Sequence, residues 1–391
     1  MTLVDAKSCT GCTACFSVCP RHAIEMKADG EGFLQPVISR ESCVNCGLCR
    51  KVCPVLNLRP KSDTPRCYAF RTGDRDLLMK STSGGAFSTL AQPVLDGGGC
   101  VFGCELGKQS LVAVHVKIEG AASLQALRGS KYVQSDLRNT LGECRKELQS
   151  GREVLFSGTP CQIAGLKAFL GRDYANLLCV EVICHGAASP AILQKEIAEV
   201  ENRQKAKIAN IAFRNKNSEK RFSLRFSFEN RSEKRLPDVY CKDFFLAYAA
   251  NLSLRKSCYT CPFKEGRSGA DFTIADFWQV EKCGKGLEYG DGMSLVVVHT
   301  DRAAKFFDRL MKTLSPKPLL CEVSAEDAFR GNPNYYSPSP FPEKNKRDKF
   351  MAYFREQPIG RLALRLTRRP LLLRVASRLK REIKAHLGGK K

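Results

Sequence analysis

Sulfur is the main source of chemistry in this sequence: 20 of its 391 residues are cysteine. Eight of them fall in two similar runs, Cys9-Thr-Gly-Cys12-Thr-Ala-Cys15-Phe-Ser-Val-Cys19-Pro20 and Cys43-Val-Asn-Cys46-Gly-Leu-Cys49-Arg-Lys-Val-Cys53-Pro54. Each run reads C-x2-C-x2-C-x3-C-P, the spacing that holds paired 4Fe-4S clusters. Three closely spaced thiolates wrap one face of a cubane, with backbone amides directed at its sulfurs. The fourth thiolate, carried on the following helix, reaches the other cluster. That rule assigns Cys9, Cys12, Cys15 and Cys53 to one cluster, and Cys43, Cys46, Cys49 and Cys19 to the second. A pair of zinc ribbons is the alternative, but those use two C-x-x-C pairs rather than four cysteines per run. The chemistry of such a module is one-electron transfer, and nothing in it binds a substrate.

The remaining composition is that of an ordinary folded protein, 43% hydrophobic and 26% charged. The N-terminal residues lack an apolar signal-peptide core, and no apolar run is long enough for a membrane span. Thiols in C-x-x-C runs without a secretory signal lead to the expectation of a cytoplasmic protein. The net charge of +23 is concentrated at the C-terminal end. From Arg361 to Lys391 there are eleven Lys or Arg against the single acid Glu382. Basic surfaces favour nucleic acid, anionic lipid or acidic proteins. For an electron carrier the expected partner is an acidic ferredoxin as donor, and no nucleic-acid binding is expected. Leucines alternate with arginines at helical spacing across Arg361–Pro370 and Leu371–Lys380. This pattern fits a basic helix at the inner membrane surface, on an acidic partner, or capping the fold.

These features divide the chain. Residues 1–57 form a ferredoxin-like module, and 58–66 form a proline-bounded linker. Residues 67–336 alternate strand and helix patterns as a mixed α/β domain, and 337–391 form a basic helical tail. The expected fold class is therefore α+β or α/β and multidomain. Strands are expected at 111–118, 153–156 and 208–213. A half-buried strand is expected where Phe222, Leu224, Phe226 and Phe228 alternate with polar residues.

Several phrases of the central domain suggest ligand sites. Ser83-Gly84-Gly85 precedes a helical pattern, where bare amides can approach a phosphate, although Gly-Gly there is commonly only a turn. Gly158-Thr159-Pro160-Cys161 joins a strand to a helix, which puts Thr159 and Cys161 at the carboxyl edge of a sheet. Lys131 can neutralise a pyrophosphate or be an ordinary surface charge. His185 can adjoin a cofactor or be a hydrogen-bonded structural histidine. Cys258-Tyr-Thr-Cys261 can be a redox dithiol, a buried pair or a metal site. No G-x-G-x-x-G loop, Walker loop or zinc-protease helix appears.

Taken in order, five phrases resemble the coenzyme F420 hydrogenase/dehydrogenase beta-subunit family. They are Ser81–Phe87, Arg128–Ser135, Ser157–Leu166, Cys184-His-Gly186, and Cys258–Phe263 with Ala270–Trp278. One departure is Ala275, where the family pattern has glycine. The resemblance covers roughly residues 1–335 and implies an iron–sulfur flavoprotein oxidoreductase. Members hold FAD beside a 4Fe-4S cluster and pass electrons to or from a small organic substrate such as coenzyme F420. A sugar-linked intermediate of surface-polysaccharide synthesis is a further implied substrate class. On this pattern Cys258 and Cys261, with Cys161 and Cys184, are ligands of a third cluster, Cys100 and Cys104 being a reserve pair. Ser83, Gly84, Gly85, Lys131, Thr159 and His185 are implied around the flavin. The alternative function is a non-catalytic electron-input subunit of a larger redox complex.

Overall fold

The computed structural model describes residues 3–61, 65–107, 111–216, 220–229 and 237–367. In the N-terminal module each cysteine run leads into a short helix, Ala14–Val18 and Leu48–Lys51. Between them β1 (Ile24–Ala28) and β2 (Leu34–Ile38) form an antiparallel pair. The two runs share one backbone pattern. Their third and fifth residues, Gly11 and Thr13 in the first and Asn45 and Gly47 in the second, all have φ between 55° and 75°. Alternating left-handed residues turn successive amides to one side and make a concavity for an anionic group.

Eleven further strands follow among the described residues: β3 (Arg66–Arg71), β4 (Cys100–Leu106), β5 (Ala113–Ile118), β6 (Val154–Gly158), β7 (Leu177–Val182), β8 (Ile208–Ala212), β9 (Leu224–Phe228), β10 (Val239–Cys241), β11 (Phe272–Asp276), β12 (Ser294–Val298) and β13 (Leu319–Val323). Eight of them build one sheet in the order β13-β3-β12-β11-β7-β6-β4-β5, and β10-β9-β8 form a separate antiparallel sheet. The large sheet is covered on both faces. Val101, Leu155, Leu178 and Val180 pack into one core, whereas Phe102, Phe156 and Cys179, one residue off, pack into the other. This is why β12 is buried at every position and apolar at all but its first residue, Ser294. In β9 burial alternates, with Leu224, Phe226 and Phe228 inward, as the sequence pattern predicts. Phe222 lies ahead of that strand and is 49% exposed.

Strand direction gathers the site. β4, β6, β7 and β11 run parallel, and two antiparallel steps through β12 leave β3 running the same way. The loops after β3, β4, β6, β7 and β11 therefore all leave from one edge, the carboxyl edge where α/β sheets bind ligands.

The segment expected to open the basic tail is helical at Lys346–Tyr353 and Ile359–Thr367. Phe350, Phe354, Ile359 and Leu362 pack into the core under the three-stranded sheet. Arg347 on the first of these helices is fully buried. It donates to both carboxylate oxygens of Glu31 at 2.8 and 2.5 Å and to the Leu254 carbonyl at 2.9 Å. The expected amphipathic segment beyond Thr367 lies outside the described residues.

Candidate iron–sulfur and cofactor site

The swapped cysteine assignment has a geometric counterpart. One cavity is lined by Cys9, Cys12, Cys15 and Cys53, and another by Cys19, Cys43, Cys46 and Cys49. The first set is buried, whereas Cys46 of the second is exposed. Burial raises the Cys15 thiol to about 12, and Cys9 and Cys53 add to the shift. Thiols so placed ionise only against a strong positive charge, which iron supplies.

Cys161, Cys184, Cys258 and Cys261 come together although their loops are far apart in sequence. Burial pushes Cys161 up to about 12, and Cys261 and Cys258 are charges it feels. Cys184 is raised by burial and by Cys258, Cys161 and Cys261. Loops hold these thiols in place. Thr159 caps the helix Pro160–Leu170 through a reciprocal bond with Gln162, which fixes the turn carrying Cys161. Lys264 donates to the Cys184 carbonyl at 2.9 Å, and the Ala187 amide to Cys258 Sγ at 3.4 Å. Four thiolates on one zinc, bound at 2.3 Å each, would lie about 3.8 Å apart. Among the described residues no cysteine set is that tight; the one group with ligand atoms within 4.8 Å is Glu196, Cys241 and Asp243. The spread of the cysteine sets fits a cubane better than a single ion.

The third thiol group adjoins the first. Cys161 is among the charges that raise Cys12. Gly165 packs so close to Cys12 that a Cβ there would lie 2.7 Å from Cys12 Cβ and 3.0 Å from its Sγ. Arg255, three residues before Cys258, is 3% exposed. It donates to the carbonyls of Cys9 at 2.7 Å and Leu34 at 3.0 Å, and to Gln134 Oε1 at 3.2 Å.

The residues implied around a flavin spread along the carboxyl edge. Ser83-Gly84-Gly85 sits over β3 and β12, where Gly84 N–H donates to Ser294 Oγ and Ser83 Oγ to the Met293 carbonyl. A Cβ on Gly84 would strike the Phe70 carbonyl oxygen at 2.3 Å, so this glycine serves backbone packing. Gly85, at φ 92°, begins the helix Ala86–Asp96. Thr159 lies over β6, with β11 and β7 between it and that loop. Lys131 donates to the carbonyls of Ala126, Leu127 and Arg128, closing a helix end, and it feels Cys104 of β4. Opposite Cys104 stands His115, which burial lowers to about 4 and keeps neutral. Its Nε2–H donates to Ser157 O and its Nδ1 accepts from Ser135, each at 3.0 Å. His185 has both ring nitrogens occupied, by Asn251 at 2.7 Å and by Ser339 at 3.2 Å. These bonds fix the ring, which is compatible with either role considered for it.

A second cluster on this edge escaped the sequence reading. Asp276, at the end of β11, accepts from Arg214 at 3.0 Å and from the Tyr289 hydroxyl at 2.6 Å. Trp278 and Tyr289 stack at 5.3 Å with rings nearly parallel, and Arg214 lies 4.7 Å from the Phe222 ring centre. Lys216 donates to the Ser83 carbonyl at 3.1 Å, and burial lowers its ammonium to about 8. The sequence placed Trp278 in a family phrase, with no sign that it meets Arg214 and Lys216. Flat aromatic faces beside cations suit a planar, anionic ligand.

Comparison with known proteins agrees with the cysteine pattern. Residues 8–57 match the 4Fe-4S dicluster domain. Residues 151–316 match the family described as the C terminus of the beta subunit of coenzyme F420 hydrogenase/dehydrogenase. Among solved structures, one similar chain comes from a xenon-derivatised F420-reducing NiFe hydrogenase complex of Methanosarcina barkeri. It is 16% identical, with TM-score 0.46, over 78% of this chain and 91% of that one. No curated protein matches.

Proposed function

Because residues 151–316 carry the C-terminal domain of coenzyme F420 hydrogenase/dehydrogenase beta subunits behind a 4Fe-4S dicluster domain, we propose that this iron–sulfur electron-transfer chain is a flavin-dependent oxidoreductase. The observation that carries the reading is the continuity of three thiol groups. Exposed Cys46 lines the outer cavity, the buried Cys9 set lines the inner one, and Cys12 abuts the helix that bears Cys161. When bound, clusters in the three groups supply one-electron storage, and FAD at the sheet edge supplies the two-electron step toward a small organic substrate.

The chain's own residues do the positioning. Arg255 and Gln134 hold the first cysteine run against the central domain, and Lys264 holds the Cys184 loop. Trp278 and Tyr289 offer a flat face, and Arg214 and Lys216 offer positive charge for a phosphate-bearing cofactor. Around exposed Cys46, Val44 is 60% exposed and Arg21, Arg40, Arg50 and Lys51 are all exposed. That face suits an acidic ferredoxin as donor. No helix among the described residues is long and apolar enough to cross a membrane. Contact of the basic residues 368–391 with an anionic membrane surface belongs to the same reading.

The test is chemical. Anaerobically purified protein should hold about twelve irons per chain and one FAD. Cys261→Ser should lower iron by about four per chain and stop flavin reduction by the N-terminal clusters, while chemically reduced flavin still turns over. Wild-type iron content and flavin reduction in that variant would reject the third cluster.

A further inference from the structure

A buried acidic group lies away from all of these thiols. Glu196, in the helix Pro190–Gln204, is 1% exposed, and among the described residues the only polar group that reaches its carboxylate is the Cys241 thiol, at geometry too poor for a regular hydrogen bond. Two ligand-bearing side chains from another part of the chain converge on it. They are Cys241, the last residue of β10 and also buried, and Asp243, the first residue of the helix Asp243–Ala249. One ligand atom from each of the three lies within 4.8 Å of the others. Glu199, one turn further along the same helix, adds more negative charge, and its Oε1 also lacks a hydrogen bond. Its neighbour Lys195 stands 3.4 Å away and is the only cation paired with it among the described residues.

A buried carboxylate whose one polar neighbour is a thiol is costly, and proteins satisfy such groups with a proton, a cation or a metal. Burial and the neighbouring Glu196 carboxylate push the Cys241 thiol up to about 12, only partly offset by the Asp243 amide, so a metal bound here must displace the thiol proton. The site is also built for close approach. Gly360, in the helix Ile359–Thr367, faces Asp243 so tightly that a Cβ there would lie 2.3–2.4 Å from its carboxylate. One thiolate with carboxylates is a borderline donor set that selects zinc over magnesium or calcium, which prefer oxygen alone.

We propose that Glu196, Cys241 and Asp243 bind one zinc ion, which ties the helix Pro190–Gln204 to the β10 turn. Its role is structural. The helix beginning at Asp243 carries Phe244, Phe245 and Tyr248, and Tyr248 donates to the Gly186 carbonyl at 3.0 Å beside the Cys184 loop. A metal at the start of that helix therefore steadies the wall behind the third thiol group without touching it.

The experiment uses full-length protein purified anaerobically from zinc-supplemented cells. Elemental analysis should find about one zinc per chain besides the iron. Zinc-edge X-ray absorption should show one sulfur near 2.3 Å and the remaining ligands oxygen near 2.0 Å. Cys241→Ser and Glu196→Gln should each cut zinc at least tenfold and leave iron unchanged. Zinc bound by four sulfurs would mean misloaded cluster cysteines and would overturn the proposal. So would protein that stays zinc-free in micromolar zinc, since a proton shared by Glu196 and Cys241 would then satisfy the site. The absorption spectrum of wild type decides even if both variants fail to fold.

Discussion

Gly165 and Cys12 touch across the boundary between the ferredoxin module and the central domain, with no room for a side chain between them. The contact is backbone against a cysteine of the first run, so a larger residue at 165 must push the module away. Gly165→Leu should leave iron and flavin content near wild type and slow flavin reduction by the N-terminal clusters at least tenfold, as stopped-flow absorbance would record. An unchanged rate would mean that electrons take another path.

Arg255 is the bolt of that boundary. Replacing it by Met removes three charge-assisted bonds, each worth about 1.5–3 kcal/mol when buried. The expected result is a lower thermal midpoint and faster proteolysis of the linker 58–66, with the central domain still folded by circular dichroism.

The Glu31–Arg347 pair makes docking of the module depend on pH. Burial pushes the Glu31 carboxyl up, but the hydrogen bonds and charge of Arg347 outweigh it and hold the group below the usual carboxylate range. Its contribution is therefore complete above pH 4.5, the ordinary value, and is lost as pH falls through the lowered one. Glu31→Gln leaves the buried guanidinium with Asp348, at 3.3 Å, as its one carboxylate partner and should cost about 3 kcal/mol. Denaturant titrations at pH 7 and below pH 4 should show the variant's deficit shrinking at the acid end.

Lys216 predicts a second pH effect, of opposite sense. Its ammonium, lowered to about 8, is charged below that pH and neutral above it. Affinity for a phosphate-bearing cofactor should fall as pH rises through 8, and Lys216→Ala should bind weakly with a flat profile. A wild-type profile in that variant, measured by flavin fluorescence, would exclude Lys216 from the site.

At the outer face, Arg21→Glu with Lys51→Glu should slow reduction by an acidic ferredoxin about tenfold at low salt and weaken its salt dependence. Equal rates in all salts would remove this surface from consideration.

Much of this was legible in the sequence because its signals are local. Each cysteine run carries its spacing and its left-handed turns within eleven residues, so the exchange between Cys19 and Cys53 followed from the motif. The strands at 113–118 and 154–158 announced themselves by closely spaced apolar residues, interrupted in the first by His115 and Lys117 and ended in the second by Ser157-Gly158. The Arg214–Asp276–Tyr289 cluster did not, because its members lie 62 and 13 residues apart and meet only where β11 ends. Arg255 and Arg347 were hidden for another reason: arginine normally reports a surface, and only the fold shows both of them buried. The helices after residue 345 read as a basic tail because their charges outnumber the few leucines and phenylalanines that anchor them.

The bond between Glu31 and Arg347 also orders events at the ribosome. The chain is made from its N-terminus, and 316 residues separate the two partners. The cysteine runs therefore emerge, and can receive iron, long before the clamp that seats them exists. Metallation can proceed on an open module, and Arg347 then seats the Glu31 turn beside the Leu254 carbonyl. Seating of the module is thus a late event in synthesis, set by the position of Arg347 in the chain.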